Sequence, residues 1–187
     1  TFDIVFCSQV LGHMPSHDLV VKALSEMRRV VKPGGIVATC EAAAQHFWPK
    51  HFDLDRLWAQ NLGRALRGGR ENDGASTGAS ANTTDSIGGF LPGLFRRAGF
   101  VHDATTEGGS KILVGAGPSV IAGPEARGWI AQRATGQLQP GDPFRQSWLD
   151  AGITEDEIAE TLRAVEAWSK ADDAWFAALQ CEMLAWK

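Results

Sequence analysis

This sequence of 187 residues has little cysteine, no clustered positive charge and no long apolar segment. No uninterrupted apolar run reaches the roughly 18 residues that a membrane-spanning helix needs, so we expect no membrane span. Acidic residues outnumber lysine and arginine by 22 to 18, and the lack of a dense basic patch argues against a nucleic-acid partner. The three cysteines lie far apart without metal-ligand spacing: Cys7, Cys40 and Cys181. This usage favours a reducing compartment, and we expect a cytoplasmic protein without a metal site.

The first part of the chain predicts a strand, a helix and a second strand. Phe2 to Val10 form a short apolar run, which is typical of a strand in a parallel sheet covered by helices. From Asp18, apolar residues at spacings of four and three predict one stripe of a helix: Val20, Leu24, Met27 and Val31. Lys32-Pro33-Gly34-Gly35 ends that helix because proline cannot continue it, and residues 36–44 predict a buried strand. We therefore expect an α/β fold with parallel strands joined by a right-handed crossover.

The pattern is weaker in the rest of the chain. Residues 68–89 contain almost no bulky apolar side chain, so they predict a disordered surface loop. Thr154 and Glu157 form a Thr-x-x-Glu capping box, which predicts the start of a helix. Further predicted elements are helices over residues 54–66 and 90–98 and after Pro124, β structure over 100–116, and a closing strand over 180–186.

Several motifs occur in an order that is known from one family. They are Phe2-Asp3-Ile4-Val5, Val10-Leu11-Gly12-His13 and Lys32-Pro33-Gly34-Gly35. In this order they resemble class I S-adenosylmethionine (SAM)-dependent methyltransferases of the type 11 group, which includes the ubiquinone and menaquinone biosynthesis methyltransferases. LFRRAGF at residues 94–100 and WFAALQCEMLAWK at residues 175–187 are similar to later elements of that family. The resemblance is strong over residues 2–43 and looser after them.

The resemblance implies a single partial domain over residues 1–187, with strands 4 to 7 of the usual seven-stranded Rossmann-like sheet. No G-x-G-x-x-G segment precedes a helix in this sequence, and neither Gly34-Gly35 nor Gly115-x-Gly117 fits that role. We therefore expect the chain to be the C-terminal half of such an enzyme, with the cofactor loop upstream of residue 1. The strand at residues 2–8 then becomes an exposed apolar edge, through which the chain is expected to self-associate.

The resemblance also implies the site residues. Cys7, Ser8 and Gln9 end the first strand, where they would face the methionine part of SAM; alternatively, they merely end a strand. His13 follows as a base or an orienting group for the methyl acceptor, with a structural histidine as the alternative. Glu41, at the end of the second strand, either orients the acceptor or is a solvated strand-end carboxylate.

An aromatic segment after the second strand suggests where a small-molecule acceptor binds. His46, Phe47 and Trp48, with His51 and Phe52 nearby, would line a pocket for an apolar or ring-bearing acceptor, with ordinary packing as the alternative. His13 and His17 are four residues apart, as on one helix face, but without a third ligand they predict no metal site.

Three hypotheses remain open from the sequence. The first is SAM-dependent methyl transfer to a small molecule, by a chain that is expected to be inactive alone without its cofactor-binding part. The second is a truncated, non-catalytic homologue that acts through a partner. The third, a fragment of a nicotinamide dehydrogenase, is the weakest because the sequence contains no tyrosine for a Tyr-x-x-x-Lys pair.

Overall fold

A computed structural model describes residues 1–14, 16–67, 86–101 and 111–187. Within them one sheet has the strand order β1-β2-β4-β3. Its strands are β1 (Phe2–Ser8), β2 (Val31–Trp48), β3 (Ile112–Ile121) and β4 (Trp175–Trp186). The α-helices are α1 (His17–Val30), α2 (Asn61–Arg67), α3 (Leu91–Arg97), α4 (Pro124–Gln137), α5 (Pro143–Asp150) and α6 (Glu155–Lys170). Short 3₁₀ turns cover Leu11–His13, Lys50–Phe52 and Ile87–Gly89, and a π-helical segment, Asp55–Gln60, precedes α2.

The sheet is mixed. β1 runs parallel to β2, with Ile4 opposite Ile36 and Ser8 opposite Cys40. β4 runs the other way, because its end lies at the start of β2, where the Gly34 amide donates to the Lys187 carbonyl at 2.8 Å. The predicted α/β fold with four strands and flanking helices is confirmed among the described residues.

The predicted strand–helix–strand unit is confirmed with shifted bounds. α1 begins one residue before the expected start, with the Ser16 hydroxyl accepting from the Leu19 amide. β2 starts at Val31, directly after α1, and passes through Gly34, whose φ of +76° suits glycine. The next residue, Gly35, has no room for a side chain, because a Cβ there would lie 2.7 Å from the Asp3 carbonyl oxygen of β1. The Pro-Gly-Gly motif therefore lies inside the strand rather than before it.

The chain divides into two compact units. Unit 1 comprises residues 1–43, 86–117 and 179–187, and its core joins one face of the sheet to α1 and α3. Val20 and Leu24 of α1 and Phe95 of α3 are completely buried there. Burying this helical stripe against the sheet is what stabilises the unit.

Unit 2 comprises residues 44–85 and 118–178, and aromatic side chains dominate its core. Trp148 and Trp168 are completely buried, and Phe47 is 2% exposed. The capping box that opens α6 is confirmed, since the Glu157 amide donates to Thr154 Oγ1 and the Glu157 carboxylate accepts from the Thr154 amide. α5 is an element that the sequence pattern did not predict.

β1 is an edge strand of the described sheet, as expected. Its side chains Phe2, Ile4 and Phe6 are 58%, 62% and 67% exposed and share one face of the strand. Within the described residues, no helix has the length and apolar character to cross a membrane. Of the predicted loop at 68–89, residues 68–85 lie outside the described residues, whereas Ile87 is buried in a 3₁₀ turn.

Candidate functional site

The first candidate region is the loop that follows β1. Gln9 has φ of +54°, in the left-handed region that favours glycine, so the chain turns sharply there. Its amide donates to the Cys40 carbonyl at 3.0 Å, and its Nε2 donates to Gln180 Oε1 of β4 at 2.8 Å. The carboxyl end of β1 is thereby tied to β2 and β4, and Ser8 and Gln9 remain half-exposed and exposed, respectively.

Glu41 lies under this loop and is 1% exposed. Its Oε1 accepts from the amides of Val10 at 2.9 Å and Leu11 at 3.0 Å, and its Oε2 accepts from the Gly12 amide at 3.4 Å. The expectation of a solvated strand-end carboxylate is therefore wrong. Both oxygens of Glu41 are turned to backbone N–H groups, which would otherwise lack acceptors at the start of a 3₁₀ turn.

Cys7 faces the same carboxylate. Its Sγ lies 3.9 Å from Glu41 Oε1, at hydrogen-bond distance for sulfur. Burial raises the pKa of the Cys7 thiol, and the negative charge of Glu41 raises it further. Cys7 is thus a protonated donor at neutral pH that points to Glu41, rather than a reactive thiolate at the sheet edge.

His13 ends the short turn Leu11–His13 and is exposed. Its amide donates to the Val10 carbonyl at 3.1 Å, and within the described residues its imidazole makes no hydrogen bond. His17 instead begins α1 and contacts the Phe90 ring at 5.1 Å, so the two histidines do not share one helix. No group of three metal-binding side chains occurs in the part of the chain that the structure describes.

The second candidate region belongs to unit 2 and is organised by Asp55. Its carboxylate accepts from the Phe47 amide at 2.7 Å, from Lys50 Nζ at 2.6 Å and from His46 Nδ1 at 3.3 Å. Burial raises the pKa of Asp55, but the hydrogen bonds from Lys50, the Phe47 amide and His46 outweigh it, so the pKa is lowered. The segment that carries the predicted acceptor residues is therefore held by a charged anchor.

Trp48 is the central aromatic side chain of this region. Its ring stacks on Trp175 with centroids 4.0 Å apart at 6°, and Lys50 Nζ lies 4.0 Å from its centroid. Phe47 points elsewhere, into the core against Trp168 and Phe176. Packing accounts for Phe47, and His46 and Trp48 are the partly exposed members of the predicted set.

The sequence pattern did not reveal the residues that fix each of the two regions separately. Gln180 meets Gln9 across 171 positions of sequence, so no local pattern links them. Asp55 is nine residues from His46 and lies in the helix predicted over residues 54–66, but the pattern did not show that its carboxylate contacts His46. The signal that could have identified Asp55 is its position: an acidic residue directly after an aromatic and basic segment can pair with that segment's lysine and histidine side chains.

Comparison with known proteins shows what the chain is similar to. Residues 1–39 match the model of a methyltransferase domain family. The chain is 53% identical over 188 residues to the "Probable methyltransferase ltbC" of Aspergillus luteorubrus, and the match covers 100% of this chain and 60% of that protein. The chain is thus similar to a probable methyltransferase, in agreement with its motifs, and it spans less than two thirds of that protein's length.

Solved structures give weaker likenesses. A protein of Bacillus halodurans C-125 assigned as a methyltransferase has a TM-score of 0.43 at 13% identity, covering 100% of this chain and 70% of that one. Phosphoethanolamine N-methyltransferase 2 of Haemonchus contortus has a TM-score of 0.37 at 15% identity, covering 100% of this chain and 33% of that one. At these TM-scores the likenesses carry no argument about function.

Proposed function

We propose that this chain is part of a SAM-dependent methyltransferase that acts on a small molecule. The proposal is supported by the position of the family match. The matched residues, 1–39, include β1 and the loop after it, which carries Ser8, Gln9 and His13. Ligands in open α/β sheets bind beyond the carboxyl ends of parallel strands, which is where these residues lie.

The side chains at this edge fit the methionine part of SAM. Its ammonium and carboxylate groups need polar partners, and Ser8 and Gln9 offer them at the accessible carboxyl end of β1. SAM, when bound, supplies a methyl group on a sulfonium centre. Ser8 and Gln9 would orient the cofactor. Cys7, whose thiol faces Glu41, would support these two residues without facing the cofactor itself.

His13 is the best placed of the predicted residues to handle a proton of the acceptor. Its imidazole is exposed and makes no hydrogen bond within the described residues, so it is accessible to a substrate group. Within unit 2 taken by itself, His46 and Trp48 offer a partly exposed surface that suits an apolar or ring-bearing ligand.

Protein-observed NMR titration with S-adenosylhomocysteine tests the cofactor site. We expect amide shifts confined to residues 8–13, without saturation below millimolar ligand, because the sequence lacks a glycine-rich loop before a helix. Unmoved resonances at 8–13 would overturn the cofactor assignment, and micromolar binding would contradict the expected weakness. Ser8→Ala should reduce the shifts, and Ser119→Ala on β3 is the matched control.

A second candidate function is a non-catalytic homologue that acts through a partner or a second copy. The exposed Phe2, Ile4 and Phe6 of the edge strand β1 favour it, because unpaired apolar edges associate readily. Sedimentation velocity distinguishes the candidates: reversible association without S-adenosylhomocysteine shifts supports the second, and a monomer with shifts at 8–13 supports the first.

A further inference from the structure

We propose that Glu41 is a positioning residue, whose buried carboxylate fixes the loop at residues 9–12 and thereby sets the places of Ser8 and His13. The meaning of those places for methyl transfer rests on the proposed function, whereas the anchoring itself does not. Glu41 would not touch cofactor or acceptor, since its two oxygens face three successive backbone amides.

The anchor is unusual because its charge has no cationic partner. No lysine, arginine or histidine of the described residues forms an ion pair with Glu41, in contrast to Asp55 with Lys50. A buried carboxylate is costly unless hydrogen bonds satisfy it, and here the amides of Val10, Leu11 and Gly12 supply them. If this loop moved, the buried Glu41 carboxylate would lose the backbone amides that donate to it. The loop therefore has one strongly preferred position.

The backbone at Gln9 supports the same conclusion. A non-glycine residue in the left-handed region persists where its surroundings hold it. Gln9 is held from one side by the Cys40 carbonyl and by Gln180, and the residues that follow it are held by Glu41. The sharp turn that presents Ser8 and Gln9 is thus fixed on both sides.

A second turn closes over Glu41. The 3₁₀ turn Ile87–Gly89 approaches so closely that a Cβ on Gly88 would lie 2.7 Å from the Ala42 carbonyl oxygen and 2.8 Å from that of Glu41. Only glycine permits this approach. Glu41 is 1% exposed, so water is kept from its carboxylate, which strengthens the hydrogen bonds to the loop.

Glu41→Gln tests the proposal, with Glu182→Gln on the exposed face of β4 as the matched control. Amide exchange at Val10, Leu11 and Gly12 should accelerate about tenfold or more, the factor that one charge-assisted hydrogen bond is worth. The imidazole Cε1–H signal of His13 should shift, although His13 does not contact Glu41. Glu41→Asp should restore part of the protection.

The Cys7 thiol gives a readout that simple destabilisation would not move. Removing the Glu41 charge should lower the pKa of Cys7, so the pH profile of its alkylation should shift to lower pH. Unchanged exchange and an unchanged His13 signal in Glu41→Gln would overturn the proposal. If that variant fails to fold, the parent protein decides: Val10–Gly12 amides that exchange as fast as an open loop would overturn it. These measurements need no cofactor, so a failed cofactor titration affects the proposed function alone.

Discussion

Glu41 in unit 1 and Asp55 in unit 2 are carboxylates with the same task and different surroundings. Each accepts backbone N–H groups and fixes a segment that carries candidate site residues. Glu41 is 1% exposed and bound by amides, whereas the Asp55 side chain is 27% exposed and paired with Lys50. The difference predicts that removing the first anchor leaves buried amides without an acceptor, whereas water can reach the groups around the second.

The largest effect is expected from the aromatic core behind the Asp55 segment. Trp168 is completely buried, and its Nε1 donates to the Trp48 carbonyl at 2.8 Å. Trp168→Ala should lower the free energy of unfolding by about 3–5 kcal/mol, because it leaves a cavity and an unpaired carbonyl. Denaturant unfolding measures this. Trp129→Ala, at a residue 56% exposed, is the control, and similar losses in both variants would contradict the assignment of Trp168 to the core.

The two anchors should differ in what their removal costs. Glu41→Ala leaves buried amides without an acceptor and should cost about 1–3 kcal/mol of unfolding free energy. Asp55→Ala should cost less, about 1 kcal/mol, because water reaches the groups that it leaves. Chemical denaturation at neutral pH compares the two variants directly. A larger loss for Asp55→Ala would reverse the comparison.

Acid should affect the Asp55 anchor in a definite direction. Because the pKa of Asp55 is lowered in the folded protein, its contribution is present above the unfolded pKa of about 3.9 and is lost as pH falls through the folded value. The stability difference between the parent protein and Asp55→Asn should therefore shrink as pH decreases from about 5 to about 3. Asp172→Asn at an exposed position should show no such trend. A difference that is constant with pH would contradict the charged anchor.

The sequence was most informative where the determinants are local. A short apolar run predicted β1, apolar periodicity predicted α1, and the Thr154 capping box predicted the start of α6. The start of β4 was placed at residue 180 instead of Trp175 because Trp175 to Leu179 lack an alternating pattern. Local patterns of this kind are visible without knowledge of the fold.

The candidate site was less predictable because its determinants are contacts between distant residues. The pattern placed Glu41 at the end of the second strand and left open whether it orients the acceptor or is solvated, because its partners are backbone amides about thirty positions away. Residue types do not reveal which amides need an acceptor. Phe47 was grouped with Trp48 as a neighbour in sequence, yet adjacent strand residues point to opposite faces. One of the pair therefore enters the core while the other stays accessible.

The smallest effect on stability, and the sharpest on association, is expected at the edge strand. Phe6 is 67% exposed on β1, so Phe6→Lys removes little buried surface and should change the free energy of unfolding by about 0.5 kcal/mol or less. A lysine on an open edge opposes pairing with another strand, so concentration-dependent association should weaken in sedimentation velocity. Leu19→Lys, at a residue 42% exposed on α1, is the control and should leave association unchanged. Equal effects of both lysines would attribute association to net charge instead of the β1 edge.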